Sequence, residues 1–219
     1  MFKKVLIVNA TPKKDGLCYS FVETAKETID SLDLDSEVLR LADYGLQKCM
    51  MCYDGWGICF KEHRCVFGEK DGFSELQKVI SESDAFVYVT PVYWGEISEE
   101  LKIFWDKLRR CETTKQWNGK EDSVSFHKNK PSILVASAGG GCGGIPSTFV
   151  AMERAVDQLS EHTGCMNGTA GIFDYIAVNR WNQEYKRETL RAAIIEMTAI
   201  NRDKKEVPAM NHLKDLEKF

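Results

Sequence analysis

Proline is scarce in this 219-residue chain, which contains 5 prolines and 16 glycines. That scarcity excludes collagen-like repeats and proline-rich low-complexity sequence. Hydrophobic residues make up 43% of the chain and charged residues 28%. This balance excludes intrinsic disorder, so we expect a globular protein with a core of its own.

Long apolar runs and an excess of positive charge are also missing. No run approaches the roughly 20 apolar residues that a membrane-spanning helix needs. The start resembles a signal peptide only superficially, because its apolar core extends from Val5 to Val8 and a turn follows directly. The 29 basic and 33 acidic residues give a net charge of −4, which offers no broad basic field to nucleic acid or an anionic membrane. We therefore expect a cytoplasmic protein with neither nucleic acid nor a membrane as partner.

Strand-like and helix-like segments alternate along the chain. Apolar runs predict strands at 3–9, 36–41, 85–89, 132–136 and 166–173. Helical spacing of apolar residues predicts helices at 18–32, 71–80, 97–108, 149–159 and 184–200. This order is typical of an α/β fold with three layers, in which helices cover both faces of a doubly wound, five-stranded parallel sheet.

The same pattern favours a single domain over residues 1–205, followed by a charged tail at 206–219. Two segments interrupt the alternation: a cysteine-rich, structured loop at 45–70 and a polar insertion at 111–130 that we expect to be exposed. Ligands of doubly wound sheets bind beyond the carboxyl ends of the strands. The loops after the first, third and fourth strands are therefore the first places to look for a site.

The first of these loops, 9–20, connects a buried strand to a helix. It contains short hydroxyl side chains and a lysine beside backbone N–H groups at a helix start, which suit a phosphate monoester. The glycine spacings of a P-loop and of a dinucleotide fingerprint are both missing from it. A mononucleotide phosphate is the better functional hypothesis, and an ordinary strand-to-helix turn is the alternative.

The second and third loops contain residues that suit a planar ring. In the second, 90–97, Pro91 fixes the backbone, Gly95 permits a close approach, and Tyr93 and Trp94 can present their ring faces or edges. The third, 137–144, has five glycines in six positions. Such a run is typical of a loop whose backbone must approach a ligand. The alternative for the second loop is that its aromatic residues pack in the core. The alternative for the third is a flexible surface loop.

Together these residues resemble the NAD(P)H-dependent FMN reductase and iron-sulfur flavoprotein family, a branch of the flavodoxin-like fold. The similar stretches are 3–20, 49–71, 84–109 and 137–144. The most specific part extends from Ser83-Asp84-Ala85 through Pro91-Val92-Tyr93-Trp94-Gly95 to Leu101-Lys102-Ile103-Phe104-Trp105-Asp106-Lys107-Leu108, in which Lys107 replaces the arginine of the family.

The resemblance implies a non-covalently bound FMN, with its phosphate in the first loop and its isoalloxazine between the second and third. The cofactor-binding residues that it implies are Thr11, Lys13, Cys18, Ser20, Pro91, Val92, Tyr93, Trp94, Gly95, Ser137, Gly139, Gly140 and Gly141. Leu17 and Cys18 replace an asparagine and a threonine of the family, so two polar contacts to the phosphate are lost or weakened. No side chain is expected to act as the catalyst, because the flavin carries the chemistry.

Four of the eight cysteines form a Cys-x2-Cys-x6-Cys-x5-Cys array: Cys49, Cys52, Cys59 and Cys65. Such an array can ligate a 4Fe–4S cluster or a structural zinc ion. The second half lacks the Cys-x2-Cys of a zinc ribbon, which counts against zinc. Iron-sulfur members of the family carry four cysteines here with only two residues between the second and third, where 54–57 forms an insertion in this chain. Reduced thiols without a metal are the alternative.

The function implied by the resemblance is that of an FMN-dependent NAD(P)H oxidoreductase. Electrons would pass from a nicotinamide to FMN and on to a small acceptor such as a flavin or quinone, with or without the cluster. One alternative is a flavodoxin-type electron carrier that serves a protein partner. Another is a non-catalytic metal- or partner-binding module that has lost the flavin. The resemblance also implies a homodimer or homotetramer.

Overall fold

The computed structural model describes residues 2–53, 55, 57–117, 125, 127, 130–140, 143–160 and 171–199. Within these residues the chain forms five strands, namely β1 (Lys4–Asn9), β2 (Asp35–Arg40), β3 (Ala85–Pro91), β4 (Ser132–Ala138) and β5 (Ile172–Asn179). It also forms seven helices, namely α1 (Gly16–Asp30), α2 (Ile58–Glu62), α3 (Gly68–Asp71), α4 (Phe73–Glu82), α5 (Glu99–Trp117), α6 (Ile145–Leu159) and α7 (Gln183–Ala199).

All five strands are parallel and lie in the order β2-β1-β3-β4-β5. The central strands are apolar throughout because both of their faces are buried. In β1, for example, Val5 and Ile7 face one helical layer, whereas Leu6 and Val8 face the other. The predicted three-layer, doubly wound fold is confirmed. The direction of winding reverses between β1 and β3, which places the ligand-binding edge there.

Helices cover both faces of the sheet. One layer consists of α1 and α7, which pack on each other and bury Phe21 and Leu190. The other consists of α4, α5 and α6, and its core includes Phe73, Phe104 and Met152. The predicted helices 18–32, 71–80, 97–108, 149–159 and 184–200 correspond to α1, α4, α5, α6 and α7.

The fifth strand lies later in the chain than 166–173. It begins at Ile172 and ends at Asn179, and residues 166–170 are outside the described part of the chain. β5 is an edge strand whose buried residues, such as Ile176 and Val178, are separated by partly exposed ones. A search for continuous apolar runs overlooks such a strand, because alternation is the pattern of a half-buried strand.

The expectation of an exposed insertion from residue 111 is wrong at its beginning. Helix α5 continues to Trp117, and Cys111 and Glu112 on it are fully buried. Glu112 tolerates burial because the Lys115 ammonium lies 2.9 Å from its carboxylate, and paired charges can be buried. Further along, Ser125 and His127 are also buried. Residues 118–124, 126, 128 and 129 lie outside the described part.

The cysteine-rich segment 45–70 contains the short helix α2 and the start of α3. The predicted tail 206–219 lies outside the described residues. Among the helices that the structure describes, none is both long enough and apolar enough to cross a membrane.

Candidate functional site

Ser98 joins the loops that follow β1 and β3. Its hydroxyl donates to the Ala10 carbonyl (2.8 Å) and accepts from the Leu101 N–H (3.3 Å) in the first turn of α5. Its own N–H donates to the Thr90 hydroxyl at 3.1 Å. All of these groups are buried, so the two loops and the start of α5 form one rigid unit. Sequence reasoning missed Ser98 and Thr90, although a serine directly before a helix is a recognisable N-cap signal.

The second and third loops are joined in a similar way. The Val92 N–H donates to the Ser137 carbonyl (2.9 Å), and the Ser147 hydroxyl donates to the Gly95 carbonyl (2.5 Å). The backbones of Gly95 and Gly144 are in direct contact. The structure therefore brings the three loops predicted from the sequence together at one edge of the sheet.

A tight turn presents Trp94 to solvent. Tyr93 and Glu96 exchange both backbone hydrogen bonds, at 3.0 and 2.9 Å. Between them, Trp94 and Gly95 have φ angles of 54° and 83°, as in a two-residue type I′ turn. A bulky residue in the left-handed region is uncommon and costs free energy, and such strain concentrates at functional sites. The Trp94 side chain is fully exposed and Tyr93 is 46% exposed, so both can contact a ligand.

The first loop holds its backbone with its own side chains. The Thr11 N–H donates to Asn9 Oδ1 (2.9 Å), and the Lys13 N–H donates to Thr11 Oγ1 (3.4 Å). Thr11 and Cys18 are buried, whereas Lys13 is exposed. Burial raises the pKa of the Cys18 thiol to about 12, against a smaller opposing effect of the Thr11 hydroxyl. Cys18 is therefore uncharged at neutral pH and does not repel an anion in this loop.

Two features of this loop fit a phosphate. The N-cap of α1, Asp15, makes no side-chain hydrogen bond to the helix, and uncapped N–H groups at a helix start bind anions. The Asn9 side chain is fully buried, and its Nδ2 has no hydrogen-bond partner among the described residues. A buried donor of this kind requires an acceptor, which a phosphate oxygen can supply.

Ser20 is oriented toward a different element. Its hydroxyl donates to the Leu17 carbonyl (2.8 Å) and accepts from the Arg187 guanidinium of α7 (3.0 Å). Arg187 was not singled out from the sequence, because its place beside α1 depends on the packing of two distant helices. It brings a cation to the first turn of α1.

Gly139 and Gly140 in the third loop have no steric reason of their own to be glycines. A Cβ atom built on either would meet no atom of the described residues within 4 Å, and neither has a positive φ. A ligand lying against the backbone would give such a reason. Gly141, the third glycine assigned to the cofactor, lies outside the described residues.

A separate cavity of 30 Å³ brings the cysteines together. Residues that line it include the four predicted metal ligands Cys49, Cys52, Cys59 and Cys65, and also Cys111 from α5. None of the six cysteines in the described part of the chain forms a disulfide. Among the described residues, no three histidine, cysteine, aspartate or glutamate side chains converge on a position for one metal ion.

Helix α5 anchors this cysteine cavity through two cations. Lys107 forms a buried ion pair with Asp71, whose carboxylate also accepts the Gln47 N–H (3.0 Å) and the Phe73 N–H (3.2 Å). Arg110 donates to the Gly55 carbonyl at 2.7 Å. Lys107 lines the cavity and therefore places a cationic group beside it.

Burial is the largest influence on the pKa values of Cys59 and Cys111. It raises the pKa of Cys59, while hydrogen bonds from the Gly57 and Phe60 backbones act in the opposite direction. It also raises the pKa of Cys111, to which the neighbouring thiols of Cys59 and Cys65 add. A metal would therefore bind with the release of protons, as is usual for thiolate ligands.

Residues 3–153, which include all three loops and the cysteine cavity, match the family model described as NADPH-dependent FMN reductase. An iron-sulfur flavoprotein of Methanocaldococcus jannaschii is 29% identical over 106 residues, 48% of this chain and 52% of that protein. An iron-sulfur flavoprotein of Methanosarcina thermophila is 23% identical over 110 residues, 49% of this chain and 54% of that protein. The chain thus spans about half the length of the curated relatives it matches.

Solved structures share the fold. An FMN-dependent NADH-azoreductase from Bacillus anthracis, in complex with FMN, has a TM-score of 0.63 at 11% identity, covering 89% of this chain and 99% of that one. An NAD(P)H:quinone oxidoreductase from Methanothermobacter marburgensis has a TM-score of 0.59 at 13% identity, covering 92% and 98%. Because the family model matches more than half of the sequence, this chain belongs to the NADPH-dependent FMN reductase family.

Proposed function

We propose that this protein is an FMN-dependent NAD(P)H oxidoreductase that passes electrons from a nicotinamide to FMN and then to a small acceptor such as a flavin or quinone. The observation that carries the proposal is the convergence of the three loops at the edge of the sheet between β1 and β3. Family membership and the FMN named for the Bacillus anthracis structure support the same cofactor.

FMN, when bound, supplies the hydride and electron chemistry, and the protein supplies position and exclusion of water. The N–H groups at the start of α1, Thr11 and Lys13 would hold the phosphate. Tyr93 and Trp94 would border one side of the ring. The backbone at Gly139 and Gly140 would approach its polar edge, which is possible because neither residue carries a side chain.

We also propose that the cysteine cavity holds an iron-sulfur cluster. The donors are soft thiols, as such clusters require, and Arg110 provides a neighbouring positive charge for an anionic cluster. A single zinc ion with sulfurs at about 2.3 Å would need the thiols to converge on one point. A cluster keeps its ligand sulfurs further apart, because several iron atoms stand between them. The second half of the array lacks the Cys-x2-Cys pair of a zinc ribbon, which favours a cluster over zinc.

The first test is the visible spectrum of protein purified without oxygen, recorded before and after addition of NAD(P)H. We expect resolved flavin bands that bleach, together with a broad brown absorbance from the cluster. Iron, sulfide and FMN are quantified in the same sample. A protein that stays colourless after incubation with FMN and desalting contradicts the flavin proposal and favours the binding module.

Lys13→Ala tests where the phosphate binds. We expect a Kd for FMN about tenfold higher or more, because a charge-assisted hydrogen bond of about 1.5–3 kcal/mol is lost. Lys26→Ala is the matched control, since Lys26 is an exposed lysine of α1 that pairs with Asp30. Equal affinities of the two variants for FMN would contradict the placement of the phosphate in the first loop.

Steady-state oxidation of NAD(P)H with free flavin or a quinone separates the enzyme from an electron carrier. Multiple turnovers with a small acceptor are expected. A flavin that is reduced once and reoxidised only by another protein would favour the carrier. Because the family resemblance implies a homodimer or homotetramer, we propose that the active form is a homo-oligomer. Sedimentation of the FMN-loaded protein checks this.

A further inference from the structure

The starts of α1 and α7 form the walls of one open groove of 430 Å³. Residues that line it include Gly16, Leu17 and Ser20 of α1 and Gln183 and Arg187 of α7. The start of α1, where we place the phosphate of FMN, therefore opens into the same groove as Arg187. The following inference rests on the proposed function and concerns how the site recognises this phosphate.

Ser20 has no hydrogen to offer a phosphate. Its hydroxyl donates to the Leu17 carbonyl (2.8 Å) within α1, and the same oxygen accepts from Arg187 Nη2 (3.0 Å). A hydroxyl carries one hydrogen, so a direct hydrogen bond from Ser20 to a phosphate would break the bond to Leu17. In this arrangement Ser20 instead fixes the position of the guanidinium.

Arg187 is firmly held and retains donors for a ligand. Its Nη2 donates to Ser20 and, at 3.4 Å, to Gln183 Oε1, and its Nη1 donates to Glu184 Oε1 at 2.8 Å. The guanidinium also lies over the Phe21 ring, 5.7 Å from the ring centroid. Because a guanidinium has five N–H groups, two of them remain without a partner among the described residues. These two N–H groups are available to phosphate oxygens.

The charges of the groove depend on Arg187. The charged residues that line it are Lys14, Asp15, Glu23 and Arg187, and their formal charges cancel. Glu184, the ion-pair partner of Arg187, is 82% exposed, so solvent screens its carboxylate. Without Arg187 the groove would be acidic and would repel a phosphate monoester, which carries about −1.5 to −2 charges at neutral pH.

The first loop has fewer polar side chains for a phosphate than the resemblance implies. Leu17 and Cys18 stand in place of an asparagine and a threonine, and Cys18 is buried. Arg187 reaches the same end of α1 from a position 167 residues after Ser20. A guanidinium donates charge-assisted hydrogen bonds, and its forked geometry matches a phosphate. Arg187 can therefore supply from α7 the polar contacts that the first loop lacks.

We propose that Arg187 binds the phosphate of FMN and makes the site select FMN over riboflavin, and that Ser20 positions the guanidinium instead of binding the phosphate itself. The phosphate site would thus combine the first loop with a helix from the other end of the described chain. FMN binding would join α7 to the start of α1.

The test compares Arg187→Met with its matched control Arg191→Met in the flavin-free full chain. Methionine keeps an unbranched side chain beside Phe21 and removes the charge. Arg191 lies one turn further along α7 and also pairs with α1, through Glu27 at 3.8 Å. Flavin fluorescence gives the Kd for FMN and for riboflavin, which differ only in the phosphate. Urea unfolding of both variants checks the fold.

In Arg187→Met we expect the Kd for FMN to rise about tenfold or more, because charge-assisted hydrogen bonds are lost. The Kd for riboflavin should not change. In Arg191→Met both values should equal those of the unmodified protein. Equal losses of affinity for the two flavins in Arg187→Met would indicate a general disturbance of α1 and would overturn the proposal.

The failure of this inference can be distinguished from that of the proposed function. If the unmodified protein binds neither flavin, the proposed function fails and this inference fails with it. If it binds FMN and Arg187→Met binds FMN equally well, only this inference is overturned. Equal affinities of the unmodified protein for FMN and riboflavin also overturn it, because the phosphate then contributes nothing.

Nitrogen-15 spectra of the unmodified protein cover the case in which Arg187→Met does not fold. The Nε–H resonance of Arg187 is assigned by its loss in Arg187→Lys, which keeps the positive charge. We expect FMN to shift this resonance and riboflavin to leave it in place. A resonance that FMN does not move, or that both flavins move equally, would overturn the assignment of Arg187.

Discussion

Gly95 and Gly144 are in contact backbone to backbone, although 49 positions separate them in the chain. A Cβ atom on Gly144 would lie 2.2 Å from the Gly95 Cα and 2.8 Å from its nitrogen. Both residues have positive φ angles, 83° and 85°. The second and third loops of the proposed flavin site can approach this closely because Gly144 lacks a side chain, and Gly95 adopts the left-handed backbone of the turn without strain.

Gly144→Ala should destabilise the protein by about 3 kcal/mol or more, since left-handed strain of about 1–2 kcal/mol adds to an overpacking cost of about 1–3 kcal/mol. Urea unfolding of the apoprotein measures this. Gly139→Ala is the matched control, because its Cβ would lie more than 4 Å from every atom in the described part of the chain apart from its neighbours. The apoprotein of this variant should keep its stability within about 0.5 kcal/mol and bind FMN more weakly. Equal effects of both substitutions on stability would contradict this distinction.

Trp94→Gly should make the apoprotein more stable and the holoprotein less active. Glycine removes a left-handed strain of about 1 kcal/mol, and little buried area is lost because the indole is fully exposed. Urea midpoints give the stability, and FMN titration and NAD(P)H oxidation give the function. The control is Trp181→Gly, an exposed tryptophan with an ordinary φ, which should not gain stability. Unchanged FMN binding and turnover in Trp94→Gly would argue against a role of Trp94 in the site.

Lys107→Met should cost about 3–5 kcal/mol of folding free energy, because it leaves the carboxylate of Asp71 buried without its ammonium partner. The control on the same helix is Lys102→Met, which removes the exposed pair with Asp106 and should cost less than about 1 kcal/mol. Equilibrium unfolding in urea compares the two. Similar losses in both variants would show that the buried pair contributes no more than a surface pair.

The stability of the fold should decrease as the pH falls below about 6.5. His127 is fully buried, its Nε2 lies 2.5 Å from the Tyr88 hydroxyl, and its ring stacks on Phe86 with centroids 4.3 Å apart. Burial lowers its pKa to about 3, with Lys130 and Lys115 adding to the effect. The unfolded chain binds a proton here below about pH 6.5, whereas the folded protein does so only near pH 3.

The contribution of His127 is therefore fully present above about pH 6.5 and is lost by about 1.4 kcal/mol per unit as the pH falls toward 3. His127→Phe keeps an aromatic ring and removes the titrating group. Subtracting the unfolding free energies of the two proteins cancels the background titration of the carboxylates. We expect this difference to change with pH between 6 and 4. A constant difference over that range would contradict the assignment.

Most of the sheet could be predicted from the sequence because its central strands are apolar on both faces, as in Val5 to Val8 and in β3. The three loops could be located because the carboxyl ends of parallel strands meet at one edge. The fifth strand was predicted too early in the chain. An edge strand alternates buried and partly exposed residues, whereas the prediction relied on a continuous apolar run. The burial of Glu112 and His127 could not be predicted, since it depends on partners that are distant in the chain, namely Gln77 for Glu112 and Tyr88 for His127.

The sequence also located the cysteine array but did not connect Cys111 to it. Local spacing reveals ligands that are close in the chain, whereas Cys111 reaches the cavity only through the packing of α5. The same reason hides Arg187 beside Ser20. In contrast, the sequence indicated that Tyr93 and Trp94 can present their rings to a planar ligand, and the left-handed backbone at Trp94 is the part that only the structure reveals.

The Asp71 carboxylate connects the two ends of the cysteine-rich segment through backbone hydrogen bonds. It accepts the Gln47 N–H at one end of the segment and the Phe73 N–H just beyond the other, so the intervening chain is a closed loop. The entropy cost of closing a loop grows only with the logarithm of its length, by about 0.6 kcal/mol for each doubling. Residues can therefore be added between the cysteines at almost no cost to the sheet. An insertion such as 54–57 changes the spacing of the thiols and leaves the folding of the flavin-binding edge intact.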